Sequence, residues 1–578
     1  MKKYSILFLA VLATTLTSCS EDFLDRTPLS EVTDENFFQK ESDLILFSNS
    51  FYRMFPSTSI YNGDSSSDNI IQNTLSEEMR GARTVPTTGG GWSWTDLRNI
   101  NYFLANYERV PDKNVTKHYG GLAKFFRAYF YFEKVKRFGD VPWYDYVIDP
   151  NDTASLEKPR DPRSVVVDNI MKDLDFAIEN MKPTKSAYRI SKWTALALKA
   201  RVGLFEGTYM KYRGLKGYEK YLTQAVEAAD LLMKESGYKV YSTGKPEKDY
   251  LNLFASHSAV EQEVILAREY STELNIKHNV NYYTITSSYG RPGMPKDLVN
   301  SYLMKDGSRF TDKPNYNKIQ FAQETKDRDL RLSQTIRTPK YTRIGGNIEL
   351  APDLSASVTG YQLIKYVTEA QYDTNSASIV DLPLFRYAEV LLNYAEAKAE
   401  LGTLTQEDLD KSINVIRARV AMPALVLSAA NATPDQYLAN QYRNVQNTNK
   451  GVILEIRRER RIELYMEDHR WEDIVRWKEG QKLTQPIEGM YFPNTGSYDL
   501  DQNGTVDIHI YDGQKPNENQ KGVYYVKLGR DLNLSTNSLV EPHPTFRTRV
   551  FKEEKDYLYP IPIQELQLNP NLKQNPGW

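Results

Sequence analysis

A chain of 578 residues with one cysteine, Cys19, can form no internal disulfide and no cysteine-built zinc or iron–sulfur centre. The six histidines (118, 257, 278, 469, 509 and 543) include no i,i+4 pair, so a helical histidine metal site is unsupported. Neither charge sign is in excess: 73 Lys and Arg face 75 Asp and Glu, and no global field favours nucleic acid or anionic lipid. Long apolar runs are equally scarce. The only one, residues 4–17, is too short to span a bilayer, and nothing later approaches about 18 residues. Nucleophile-elbow, phosphate-loop, dinucleotide and H-E-x-x-H motifs are missing. A glycosidase carboxylate pair cannot be singled out among 75 acids, so that class stays open at this stage.

What is present begins with the leader. Lys2 and Lys3 precede the apolar run, which ends in Leu16-Thr17-Ser18-Cys19. A positive start, a short apolar core and small residues before a cut describe a secretory signal over 1–18. Small residues directly before the only cysteine resemble a bacterial lipobox, in which Cys19 is lipidated and becomes the first residue. Each buried acyl methylene adds about 0.8 kcal/mol, so several chains on one residue anchor firmly. The acidic Ser20-Glu21-Asp22 resembles the surface-export signal of Bacteroidetes lipoproteins.

Three segments carry wide helical faces: 121–139 (Leu122, Phe125, Phe126, Tyr129, Phe130), 189–207 (Ile190, Trp193, Ala197, Ala200, Leu204) and 382–402 (Leu384, Ala388, Leu391, Leu392, Ala395). Each closes on a glycine, Gly139, Gly207 or Gly402, as for a left-handed cap. The last two align through Ala200/Gly207 and Ala395/Gly402, and each is followed by a second helical stretch, 221–233 and 408–420. Such pairs predict a mostly α, tetratricopeptide-like repeat scaffold. Long Ser-, Thr-, Asn-, Gly- and Pro-rich insertions over about 56–95 and 238–380 interrupt it, with β-like runs such as "NYYTIT" (281–286). The charge run 455–477 holds six Arg against seven acids, with Arg460/Glu463 and Glu472/Arg476 at helical contact spacing. It predicts a network of internal ion pairs rather than a nucleic-acid surface.

The blocks "FRAYFYFEKVKRFGDVP", "SKWTALALKARVGLFEG", "LFRYAEVLLNYAEAKAELG", "RRERRIELYMEDHRWEDIVRW" and "LYPIPIQELQLNPNLKQNPGW", with "DFLDRTPLSEVTDENFF" near the start, resemble the SusD/RagB family of outer-membrane lipoproteins. They run in the family's order over residues 19–578. Asp468 departs from the pattern, standing where the family usually has glycine. The resemblance implies a SusD-like helical fold, no cofactor and no catalysis. It also implies surface capture of a glycan for delivery to a SusC-type TonB-dependent transporter, with Cys19 tethering the protein to outer-membrane lipid. Peptide capture, as in RagB-type members, is the alternative within the family; a lipid-anchored glycoside hydrolase is the alternative outside it.

A sugar site needs aromatic faces for C–H patches and amides or Arg for hydroxyls. The insertions offer Trp92 as a platform, with Tyr61, Asn69, Arg83, Tyr283, Tyr289 and Arg291 as further contacts. Trp94 shares helical spacing with Leu97, Asn101 and Leu104 behind the potential cap Ser93, and reads as core. The motif "DLDQNGTVD" (499–507) places Asp499, Asp501, Asn503 and Asp507 as in the start of a calcium loop. Ile510 replaces the usual Glu at position 12, which favours a plain hairpin turn.

Overall fold

A computed structural model describes residues 37–517 and 520–578. The leader, Cys19 and most of the "DFLDRTPLSEVTDENFF" block lie outside the described residues. After α1 (Glu41–Asn49) and α2 (Thr95–Asn106), the long α3 (Lys113–Phe138) packs against α4 (Arg163–Asn180). Asp112 caps α3 by accepting from the amides of Asn114 and Val115 (2.9 and 3.4 Å), and Gly139 ends it at φ +74°. Next come α5 (Lys192–Lys211) and α6 (Tyr218–Glu235). Helix α6 lies against both α5 and α8 (Tyr387–Leu401), so the two segments aligned in sequence are neighbours across it. Two short pieces, α9 (Gln406–Asp410) and α10 (Ile413–Arg419), replace the single stretch expected over 408–420. α11 (Lys450–Glu463) and α12 (Arg470–Arg476) complete the scaffold. Gly402 caps α8 at φ +76°, but Gly207 ends nothing. It sits inside α5, where a Cβ would stand 2.6 Å from Leu222 Cδ2 of α6. That glycine serves helix approach instead of termination.

The insertions are folded, with a core of their own. Tyr250, Phe254, Val280, Leu298, Tyr302 and Tyr361 belong to a second apolar cluster beside the helical one. The antiparallel pair β1 (Val264–Arg268) and β2 (Leu382–Arg386) ties this layer to the start of α8. The run 281–286 is not a strand but part of α7 (Val280–Ile285). Thr284 Oγ1 donates back to the carbonyls of Val280 and Asn281 (both 3.0 Å), which spends its side chain on a helical turn. Near the C-terminus β3 (Gly496–Tyr498) pairs antiparallel with β4 (Ile508–Tyr511), and β5 (Tyr524–Lys527) joins β4 in parallel. The chain closes on α13 (Ile563–Leu568).

The charge run is an ion-pair network, but apart from the local Arg458–Glu455 and Arg476–Asp473 pairs (2.8 and 2.9 Å) its pairs are tertiary. Every residue of α11 from Gly451 to Glu463 is buried, so its charges reach other elements. Arg460 meets Asp473 at 2.8 Å and Asn393 at 2.7 Å, not Glu463. Glu472 pairs with Lys136, and Arg476 bonds Glu396 at 2.7 Å. Glu463 joins Arg331, Arg386 and Arg419 at 3.1, 2.7 and 2.6 Å. Burial opposes its ionisation, but Arg419, Arg386 and Arg331 hold its carboxyl well below the usual range.

Candidate ligand-binding face

Segments 71–73 and 290–293 run side by side: Ile71 and Gly293 exchange amide bonds of 3.0 and 2.9 Å, and Asn73 donates to Gly290 O at 2.9 Å. Gly290, at φ +78°, would set a Cβ 3.2 Å from the Tyr283 ring, so the approach favours glycine. On this support the rings of Tyr282 and Tyr289 stack at 5.6 Å and 28°, and Tyr289 is 40% exposed. Tyr283 lies beneath, edge-on to Tyr289 at 5.9 Å, its hydroxyl accepting from Gln72 Nε2 at 2.5 Å. Tyr61 backs Tyr283 at 5.6 Å, and His278 backs Tyr61 at the same separation. The free aromatic face therefore rests on a rigid stack of rings. Burial pushes Tyr283 and Tyr61 up, so both stay neutral phenols.

On the other side of the 71–72 dipeptide is a groove of mixed polar and apolar lining. Ile71 lines a cavity of about 220 Å³ with Asn300, Tyr316, Asn317, Tyr437, Gln441 and Gln485. Tyr437, Gln441, Lys482 and Gln485 also line a neighbouring cavity of about 630 Å³, and Tyr316, Asn317 and Glu488 a third of about 260 Å³. The rings of Tyr316 and Tyr437 meet edge-to-face at 6.1 Å. Asn300 donates to Asn317 at 3.2 Å, but its buried Oδ1 has no donor among the described residues. A buried orphan acceptor on the wall of a wet groove is suited to a hydroxyl from outside. His543 connects the two parts, bonding Gln72 O at 2.7 Å beside Phe546, whose carbonyl accepts from the groove residue Arg549 at 2.7 Å.

Of the residues singled out from sequence, Tyr289 reaches this surface and Tyr283 and Tyr61 support it; three others are corrected by burial. Asn69 is spent internally, donating to Asp64 (3.2 Å) and accepting from Arg461 (2.8 Å). Arg83 bonds Asp556 and lies over Tyr559 at 4.4 Å, between Trp471 and Trp578. Trp92 is no platform: it is 5% exposed, edge-on to Phe138 at 4.8 Å. Arg137 and Lys134 of α3 bind the carbonyls of Gly90 and Gly91, and that grip folds the Gly-rich loop and Trp92 inward. Trp94 is half-buried rather than core; Ser93 caps nothing, because α2 starts at Thr95 with Trp94 as its N-cap. Arg291, at φ +49°, donates to Leu354 O at 2.8 Å and leaves its Nε unpaired. Tyr282, Gln72, Tyr316, Tyr437 and Asn300 were not singled out. The doubled tyrosine at 282–283 was the one available signal.

The motif 499–507 forms the β3–β4 turn, and within it the carboxylates of Asp499, Asp501 and Asp507 lie within 4.8 Å of one another. Asn503 donates to Asp499 and Asp501 from its amide (both 3.1 Å) and to Asp501 again from its side chain (3.1 Å). Burial pushes Asp501 and Asp507 up. Among the described residues no helix is long and apolar enough to cross a membrane.

The SusD family profile matches residues 261–578, and a second SusD-like profile, described as starch-binding and associating with the outer membrane, matches 22–204. A SusD-like protein of Formosa agariphila is 24% identical over the whole of both chains. Another from the same organism is 25% identical over 85% of this chain and 95% of its own. Two Bacteroides fragilis structures superpose with TM-score 0.69: a SusD-like protein (21% identical, 96% of this chain, 100% of that one) and a SusD-like carbohydrate-binding protein (22%, 93% and 100%). A laminarin-binding SusD-like protein follows at TM-score 0.53 (19%, 93% and 100%). With the helical-repeat scaffold and the ordered sequence blocks, these matches place the chain in the SusD family.

Proposed function

We propose that this protein captures an oligo- or polysaccharide at the cell surface and passes it to a SusC-type TonB-dependent transporter. Lipid on Cys19 holds it in the outer membrane, and it binds its ligand without cleaving it. The observation that carries the reading is the Tyr282/Tyr289 stack, with Tyr289 exposed, beside a groove where Asn, Gln and Tyr side chains stand among charged ones. Stacked rings suit the C–H face of a sugar, and amides both donate to and accept from its hydroxyls. The outer-membrane, starch-binding description of the matching profile and the carbohydrate-binding relatives support the same ligand class.

A glycan and peptide array on the purified protein tests this. Glycan signals that fall about tenfold in Tyr289→Ala are expected, since a stacked aromatic contributes about 1–3 kcal/mol and 1.4 kcal/mol is one decade. Signals on peptides alone move the protein to the peptide-capturing branch, and sustained release of reducing ends makes it a hydrolase. Cys19→Ala should leave the outer-membrane fraction; retention there would refute the single anchor.

A further inference from the structure

A cavity of about 620 Å³ lies between the start of α2, the 142–157 segment and α13, and shares no lining residue with the face described above. Its volume is in the range of small-ligand sites, about 300–1,000 Å³. Trp94 contributes a half-buried ring, backed by Phe130 at 5.7 Å and edge-on to Tyr144 at 6.0 Å. Trp92 reaches the same space with the 5% of its surface that stays accessible. Among the described residues neither indole N–H makes a hydrogen bond. A tryptophan that becomes enclosed normally pairs that group. Glu157 and Glu565 also line the cavity, and neither carboxylate has a cation or donor among the described residues. Among the described residues Arg98 gives one bond, from Nη1 to Ile148 O at 3.0 Å. Tyr146 and Leu156 stand 46% and 49% exposed at the mouth.

These groups select a chemistry by elimination. A purely apolar guest would bury two indole N–H groups and two carboxylates without partners. An anion would meet the two carboxylates, and a cation would pair with them but leave both indole N–H groups and Arg98 without an acceptor. A neutral ring with C–H patches and hydroxyls that both donate and accept answers all of them. We propose that this cavity is a second carbohydrate site, taking a pyranose of a neutral glycan independently of the tyrosine platform. The proposal shares its ligand class with the capture reading but none of its residues, so the two fail separately.

Saturation-transfer NMR with methyl β-D-glucopyranoside, methyl β-D-galactopyranoside and methyl α-D-mannopyranoside on the full chain tests it. At least one should show ring-proton transfer. Leu568→Trp, at a position 66% exposed beside the cavity, should weaken that binding by about tenfold. Trp94→Phe, which keeps the ring but removes the N–H, should weaken it by about threefold, roughly half a decade. Tyr289→Ala should leave it unchanged. Loss in Tyr289→Ala with none in Leu568→Trp overturns the second site, as does absence of transfer from all three glycosides. In either case array signals that depend on Tyr289 leave the capture reading standing. Leu568→Trp alters only an exposed side chain, so the test survives if Trp94→Phe fails to fold.

Discussion

His278 lies at the bottom of the ring stack that carries Tyr289, and its two nitrogens have fixed roles. Nε2 donates to Val380 O at 2.9 Å, while Nδ1 accepts from the Val280 amide at 3.3 Å. Protonating Nδ1 would set two N–H groups against each other, and Tyr61 and Tyr270, packed on the ring, stay neutral. Burial pushes the imidazole down to about 4 against the opposing pull of Val380 O. A depressed base stabilises the fold fully above its unfolded value near 6.5 and loses that contribution as pH falls towards 4. The whole effect is on the order of 3 kcal/mol. Thermal midpoints of the wild type and His278→Gln should therefore converge between pH 7 and 4.5; parallel curves would refute the assignment. A second prediction concerns Trp92. Trp92→Ala should destabilise by about 3–5 kcal/mol, through the cavity it leaves against Phe138, and urea titration measures it. Tyr289→Ala should leave the same midpoint almost unmoved, because its side chain is exposed.

At the scale of elements, α5 and α6 approach so closely that small residues are required between them. A Cβ on Gly203 would stand 2.6 Å from the carbonyl oxygen of Tyr221, and a backbone atom cannot turn aside. At Gly207 the nearest obstacle is the Leu222 side chain at 2.6 Å, which can shift rotamer, with the Leu222 backbone nitrogen farther off at 3.1 Å. Overpacking costs about 1–3 kcal/mol, and replacing glycine within a helix returns up to about 1 kcal/mol. Gly203→Ala should thus lose about 1–2 kcal/mol in chemical denaturation, and more than Gly207→Ala. A rise in stability for Gly203→Ala would mean that the helices can separate freely. The sequence spacing of seven between Ala200 and Gly207, repeated by Ala395 and Gly402, marked the leading helix of each pair, while the partner expected over 408–420 is broken into α9 and α10. It misplaced one helix end, because a glycine required by a neighbouring helix looks the same in sequence as a glycine that caps.

Across the whole molecule, Glu463 is the junction between the helical scaffold and the folded insertion. It sits on α11, and its partners come from the insertion (Arg331), β2 (Arg386) and α10 (Arg419). Arg386 adds Glu263 at 2.9 Å and Glu467 at 2.6 Å, and Lys365 bonds Glu467 at 2.7 Å. Removing one partner from such a buried set leaves uncompensated charge, at about 3–5 kcal/mol. Glu463→Gln should show that loss in urea titration and should loosen the Tyr282/Tyr289 part of the ligand face, which the insertion carries. A variant as stable as the wild type would show that the arginines find other acceptors.

Helices, their order and the kind of scaffold were legible in the chain because periodicity is local: Phe125, Phe126 and Tyr129 share a face whatever packs against them. The closing blocks identified the family for the same reason, as short contiguous strings. The exposure of single loop residues was not local. Trp92 and Trp94 are two positions apart and chemically identical, and the grip of Lys134 and Arg137 on the loop between Pro86 and Trp92 decides which is enclosed. Asn69 faces Arg461, 392 positions away, rather than solvent. Tyr282 and Tyr289 present a free face because Gln72 and Gly290 hold Tyr283 beneath them. Composition and periodicity specify which surfaces must be buried; which polar and aromatic groups remain for a ligand follows only after distant segments have satisfied the rest.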